Sequence, residues 1–145
     1  MGIVEYRRGS HTVYNIEYHV VWVTKYRYAV LTGEVALRAR ELIRQTCARR
    51  EITIVRGSIS KDHIHLLISC PPTMSAAAVV QYIKGRSSKM IQEEFPHLQK
   101  RFWGQHLWAR GYFCATVGAV TEEMIKEYVE NQQDEGPGDA FKIHE

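Results

Sequence analysis

Apolar and polar residues recur along this chain with two periods, near two and near three and a half, and the switches between them mark out the elements. Val13 to Thr24 is rich in β-branched and aromatic residues and predicts a strand, with Lys25-Tyr26-Arg27 as its basic exit. Thr32 is placed to cap a helix from about Gly33 to Arg50, in which Val35, Leu42, Ile43 and Thr46 fall toward one side. Ile52 to Ile59 and His63 to Ser69 read as two strands joined by the tight Ser60-Lys61-Asp62 connection. Pro71-Pro72 ends this hairpin, and a second helix follows from about Ser75 to Glu94, stopped before Pro96. Trp108 to Val117 supplies further strand, interrupted near Gly111 and broken at Gly118. Thr121 then caps a last helix, with Glu122 and Glu123 in the first turn, where the helix dipole favours negative charge. Met124, Ile125 and Val129 are the expected core stripe of that helix.

The order strand, helix, strand, strand, helix, strand, helix suits an α+β domain, and a ferredoxin-like split βαβ arrangement is the predicted fold. It has helices on one face of an antiparallel sheet and a further C-terminal helix. A length of 145 residues fits one hydrophobic core, here residues 1–133. Residues 134–145, beginning Asp134-Glu135-Gly136-Pro137-Gly138-Asp139, read as a flexible acidic tail. With 45% hydrophobic residues the chain is not of the disordered class. No apolar run approaches the roughly 20 residues that span a membrane, and the first residues lack a signal-peptide pattern, so a cytoplasmic protein is expected. Cys47, Cys70 and Cys114 are widely separated and contain no Cys-x-x-Cys pair, which argues for buried thiols rather than a disulfide framework or zinc ribbon.

The net charge of +3 hides an asymmetry. Residues 1–110 hold 17 Lys or Arg against 8 Asp or Glu, a balance of +9, while residues 111–145 hold 2 against 8, a balance of −6. A basic body of this kind points to nucleic acid. The series Arg38, Arg40, Arg44, Arg49 and Arg50 reads as a solvated helix face. Lys84-Gly85-Arg86-Ser87-Ser88-Lys89 is read differently: three cations and two hydroxyls flank a glycine that permits close approach, so phosphate contact is expected there. Lys25 and Arg27 complete that set, and Trp103 and Trp108 are stacking candidates, with core burial the expectation for Trp108.

Against this background His63-Ile64-His65 carries the chemistry. Residues i and i+2 of a strand point to one face, so the two imidazoles stand side by side as a metal pair, with Asp62 placed to orient one of them. Two histidines in a strand are a weak signal alone. Tyr128 and Gln132 lie one helical turn apart and project together, a phenol beside a further ligand. A phenol with pKa about 10 is only about 0.1% ionised at neutral pH, so a nucleophilic tyrosine needs a metal or base nearby. Mg²⁺ or Mn²⁺ suits a phosphate substrate, and imidazole leaves zinc open. His19, His97 and His106 have no partner at ligand spacing and are expected to be structural or surface residues.

Four blocks together resemble a known family: Asp62-His63-Ile64-His65-Leu66-Leu67-Ile68-Ser69; Lys84-Gly85-Arg86-Ser87-Ser88; Trp108-Ala109-Arg110-Gly111-Tyr112-Phe113 with Thr116-Val117-Gly118; and Tyr128-Val129-Glu130-Asn131-Gln132. From about Tyr14 to Gln133 the chain is similar to the HUH single-tyrosine transposases of the insertion-sequence-200 group. The resemblance implies a dimeric ferredoxin-like DNA transposase that acts on single strands marked by imperfect hairpins. Within it His63, His65 and Gln132 would hold a divalent metal, Mg²⁺ or Mn²⁺. Tyr128 would be the nucleophile that forms a 5′-phosphotyrosine, in active sites often shared between two subunits. Two other readings stay open: a single-stranded nucleic-acid-binding module without chemistry, and a metal-dependent nuclease in which the histidines activate water.

Overall fold

The computed structural model describes residues 6–8, 13–102, 106–116 and 122–131. In order these form β1 (Arg7–Arg8), β2 (Val13–Tyr14), β3 (Glu17–Val23), a 3-10 turn (Lys25–Arg27), α1 (Gly33–Arg49), β4 (Thr53–Ser60) and β5 (His63–Ser69). They continue with α2 (Ala76–Glu94), α3 (Pro96–Arg101), β6 (Phe113–Thr116) and α4 (Glu122–Asn131). Strands β3 to β6 make one antiparallel sheet in the order β4-β5-β3-β6. With α1 and α2 as the two crossovers this is the ferredoxin-like split βαβ arrangement that the pattern predicts. Gln132, Trp103, Gly118, Thr121 and the acidic tail lie outside the described residues.

Strand parity sorts the side chains into two populations. Val20 and Trp22 of β3 and Ile64, Leu66 and Ile68 of β5 face α1 and α2, where they meet Leu42, Ile43, Val79, Val80, Ile83 and Ile91 in the main core. The intervening residues His19, Val21, Val23, His63 and His65 take the opposite face. There Val21 and Val23 pack against Ile125 and Val129 of α4. Helix α4 thus covers the second face of the sheet. Met124, expected in its core stripe, is exposed, because the buried arc runs through Ile125 and Val129 and position 124 falls one residue outside it.

Other local differences have physical causes. The run from Val13 to Thr24 is divided at Asn15 and Ile16: β2 pairs with β1 in a separate two-stranded ribbon, and only β3 joins the main sheet. The Arg7 guanidinium ties that ribbon to the body by donating to the Ser69 and Glu51 carbonyl oxygens, each at 2.7 Å. Pro96 does end α2, but it also opens α3, because the first position of a helix needs no N–H donor. Trp108 forms an isolated bridge to Thr24, and strand geometry resumes only at Phe113. Ser75 caps α2 by accepting from the Ala78 N–H at 3.1 Å, whereas the Thr32 hydroxyl makes no such bond to α1. Among the described residues no helix is long and apolar enough to cross a membrane.

Candidate active site

His63 opens β5 and is held from behind. Its Nδ1 lies 2.9 Å from Asp62 Oδ1, and Asp62 Oδ2 accepts from Arg27 Nη2 at 3.1 Å. Asp62 is buried, and burial acts to raise its pKa, but the His63 hydrogen bond and the Arg27 charge outweigh this and hold the carboxyl below its ordinary range. An ionised carboxylate only accepts, so Nδ1 of His63 carries the proton and its Nε2 lone pair is left to meet a ligand.

The partner Arg27 reaches Asp62 from a strained turn. Tyr26 and Arg27 have φ of 59° and 54°, two successive non-glycine residues in the left-handed region. Thr24 maintains the turn: its hydroxyl donates to the Tyr28 carbonyl at 2.8 Å and its N–H donates to the Asp62 carbonyl at 2.9 Å. Such backbone costs on the order of 1–3 kcal/mol per residue and persists where surrounding bonds over-determine it. Arg27 was expected on phosphate. The structure instead places its guanidinium, mostly buried, against Asp62 behind His63.

His65 stands beside Val21 of β3, and Val21 is also paired with Phe113 of β6. Its Nε2 lies 3.0 Å from Nδ1 of His19, with the ring centroids 5.3 Å apart and tilted by 34°. His19 was expected to be structural or superficial. The sheet register makes it the diagonal cross-strand neighbour of His65, a relation invisible until β3 and β5 are aligned.

Tyr128 lies on α4 over the same face. Its ring is half-buried and packs on Phe113, centroids 5.5 Å apart at 33°. Phe113, Val21 and His65 form one row across the sheet, so Phe113 stands about two strand spacings, roughly 10 Å, from His65. Burial raises the Tyr128 pKa above its ordinary value of 10. The phenol is therefore a weaker nucleophile at neutral pH than an exposed one until a charge or base acts on it.

A cleft of about 790 Å³ between α2 and the segment before β6 is lined by Lys25, Lys84, Gly85, Ser88, Lys89 and Arg110 among others, but not by Arg27 or Arg86. It adjoins the histidine end of the sheet, since Val23 pairs with His63 and the Val23 carbonyl accepts from the N–H of Ala109, another lining residue. Within this set the structure redistributes roles. Lys84 Nζ donates to the Ala109 and Gly111 carbonyls at 2.8 and 2.9 Å, clamping that segment to α2. Ser87 is wholly buried and accepts from Trp108 Nε1 at 3.0 Å, so it is a core residue and not a phosphate contact. Ser88 is almost buried and accepts from the Leu107 N–H at 3.1 Å. Arg86 Nη2 lies 3.4 Å from Gln45 Oε1. Lys25 and Lys89 line the cleft. Trp108 is buried edge-on against Trp22, as expected.

The donor chemistry of this face suits a divalent ion: the imidazoles of His63 and His65 share one face of the sheet, and a carboxylate fixes the tautomer of His63. Nitrogen donors favour Mn²⁺ over Mg²⁺. Among the described residues no group of three His, Cys, Asp or Glu side chains converges on one point, and Gln132 lies outside them.

Comparison with known proteins bears on the same residues. Residues 12–132 match the family described as "Transposase IS200 like". The chain is 34% identical over 131 residues to the ISDra2 transposase TnpA of Deinococcus radiodurans, covering 90% of this chain and 94% of that protein. It is 35% identical over 126 residues to the transposase for insertion sequence element IS200 of Salmonella typhimurium, covering 87% and 82%. A crystal structure of a candidate transposase from Deinococcus radiodurans superposes with a TM-score of 0.80 at 35% identity, over 87% of this chain and 97% of that one. A tyrosine transposase bound to a REP hairpin shares the fold at a TM-score of 0.51 and 16% identity, over 88% and 69%. The matched span takes in β3 with its His19, the His63-Ile64-His65 strand and the Tyr128 helix, and the chain that carries them belongs to the IS200-like transposases.

Proposed function

We propose that this transposase cuts and rejoins single-stranded DNA at hairpin-marked ends through a covalent bond to Tyr128. The observation that carries the reading is the common face: His63, His65 and Tyr128 all lie on the α4 side of the sheet, with Asp62 bonded behind His63. The Tyr128 oxygen attacks the scissile phosphorus, the bond from phosphorus to the 3′ oxygen breaks, and a 5′-phosphotyrosine forms. The phenol proton is lost to solvent or a neighbouring base, and the departing 3′ oxygen takes up a proton. Because the phosphodiester energy is kept in the tyrosine ester, a 3′-hydroxyl reverses the step and joins strands without ATP.

A divalent ion held by His63 and His65, with Gln132 as a further donor, would draw charge from the phosphate oxygens as attack proceeds. The chain's own residues prepare this: Asp62 and Arg27 fix the His63 ring, and α4 presents the phenol. Hairpin phosphates would meet Lys25 and Lys89 in the cleft next to the histidines. Gly85 supports the same assignment. A Cβ there would meet nothing within 4 Å, so no neighbouring protein atom requires glycine at a mid-helix position where it costs about 1 kcal/mol relative to alanine. We further infer a homodimer with shared sites. Among the described residues of α4, Ile125 and Val129 are the buried ones against its own sheet, a small hold that exchange between subunits would break at low cost.

The test uses end-labelled single strands from the DNA flanking the gene, incubated with Mg²⁺ or Mn²⁺ and either the wild-type chain or Tyr128→Phe. A covalent protein-DNA band on a denaturing gel, absent from the variant, is the expected result. Cleavage that persists unchanged in Tyr128→Phe would overturn it in favour of a water-using nuclease.

A further inference from the structure

Between Lys25, which lines the cleft, and Arg27, which bonds Asp62 behind His63, stands Tyr26, a residue with no part in the reading above. We propose that the Tyr26 ring is a stacking surface for an unpaired base of the DNA strand close to the scissile phosphate. The inference rests on the proposed cutting of single-stranded DNA and adds a contact that sets where the strand lies.

Backbone conformation is the first support. Tyr26 has φ 59° and ψ 11°, in the left-handed region. A turn needed only to carry Arg27 to Asp62 is best served there by glycine or asparagine, which adopt this conformation at little cost where a bulky ring does not. Tyrosine at this point therefore calls for a reason in its own side chain.

The surroundings of the ring are the second support. Tyr26 meets Tyr28 edge-on, centroids 5.3 Å apart at 66°, and Tyr28 packs in turn on the buried Phe102 at 5.5 Å. The row runs outward from the core, and Tyr26 is its half-buried outer member. An edge-on contact covers at most one face of its ring. The guanidinium of Arg101 lies 3.8 Å from the Tyr28 centroid and that of Arg50 lies 3.7 Å from the Tyr82 centroid, so those rings already carry a stacked cation. Lys25 Nζ stands 5.4 Å from the Tyr26 centroid, beyond the roughly 3.5–4 Å of direct contact. Its flexible stem lets the ammonium swing to a phosphate while a base takes the ring.

Placement is the third support. The turn follows Val23, the register partner of His63, and the Thr24 N–H donates to the Asp62 carbonyl at 2.9 Å. The Lys25 N–H donates to the Leu107 carbonyl at 2.9 Å, which ties the same turn to the segment along the cleft. A strand running from the cleft to His63 passes this turn. Stacking accepts the flat face of any base, so the contact fixes the position of the strand more than its sequence.

The experiment uses the full chain in a Tyr128→Phe background, so that binding is read apart from cutting. The probe is a fluorescent single strand carrying a hairpin and the cut site mapped by the wild-type adduct, together with a series in which one nucleotide at a time near the cut is abasic. Tyr26→Phe keeps the ring, and Tyr26→Asn removes it while suiting the left-handed backbone. Thermal melts establish that each variant folds, and Tyr26→Leu serves where asparagine does not. With Tyr26 or Phe in place, one abasic position should weaken binding about tenfold. Tyr26→Asn should bind the intact strand about tenfold more weakly and lose its response at that position alone. A Tyr26→Asn chain that binds the intact strand as its parent does, or that responds to every abasic position as its parent does, overturns the proposal. A wild-type chain that forms no adduct on any flanking strand would instead overturn the cutting reading, and this inference with it.

Discussion

The two faces of the sheet are built from the same strands by the same alternation, yet they do different work. On the α1 and α2 side, Val20, Trp22, Ile64, Leu66 and Ile68 join the large core, and nearly every side chain is apolar and sealed. On the α4 side the cluster is small, Val21, Val23, Ala109, Ile125 and Val129, and polar rings stand beside it. Burial on the first face supplies stability, which frees the second to hold imidazoles, a phenol and a buried ion pair that would weaken a core. Residues one apart in sequence therefore answer to different demands.

The sharpest way to break this comparison is to cut adjacent residues. Ile64→Ala should cost about 2–5 kcal/mol of stability, as removal of a fully buried aliphatic side chain does. His65→Ala should cost much less in urea unfolding yet remove metal-dependent adduct formation. Equal losses of stability in the two variants would show that the faces are not divided as described.

Asp62 tests the boundary, because it is buried for stability and yet serves the site. Asp62→Asn should weaken metal binding by about 10–100-fold, the usual range for an outer partner of a ligand histidine. The pH dependence of stability follows from the direction of its shift. Its folded pKa lies below the ordinary 3.8, so the pairing contributes fully above that value and is lost as pH falls through the lower folded one. Asp62→Asn should accordingly flatten the acid limb of a stability profile below about pH 4. An acid limb identical to wild type would mean that the Arg27 to Asp62 to His63 chain contributes nothing.

The smallest effect expected concerns Gly85 in the cleft. Gly85→Ala meets no neighbour and should raise stability by up to about 1 kcal/mol. If the cleft takes hairpin phosphates, the same change should weaken hairpin binding in a salt titration. A variant that gains stability and binds as before would move the DNA path elsewhere.

Much of this molecule was readable from periodicity. The α1 and α2 boundaries, the His63 to Ser69 strand and the ferredoxin-like order follow from apolar spacing and Pro71-Pro72. Helix α3 was not readable as an element, since Pro96 signals a stop and a start equally well and six residues carry little period. The break at Asn15 and Ile16 was hidden because β-branched and aromatic residues continue on both sides of it.

For the site the division is similar. Sequence by itself determined what is local: the shared face of His63 and His65 needs only strand parity, and the nearness of Asp62 only adjacency. Tertiary structure decided what depends on register and on turns. It brought His19 to His65 through the pairing of β3 with β5, carried Arg27 to Asp62 through two left-handed residues, and turned Ser87 inward onto Trp108. Spacing along one element fixes direction, but contact between elements depends on how they are aligned, and that alignment is set by the packing of the whole core.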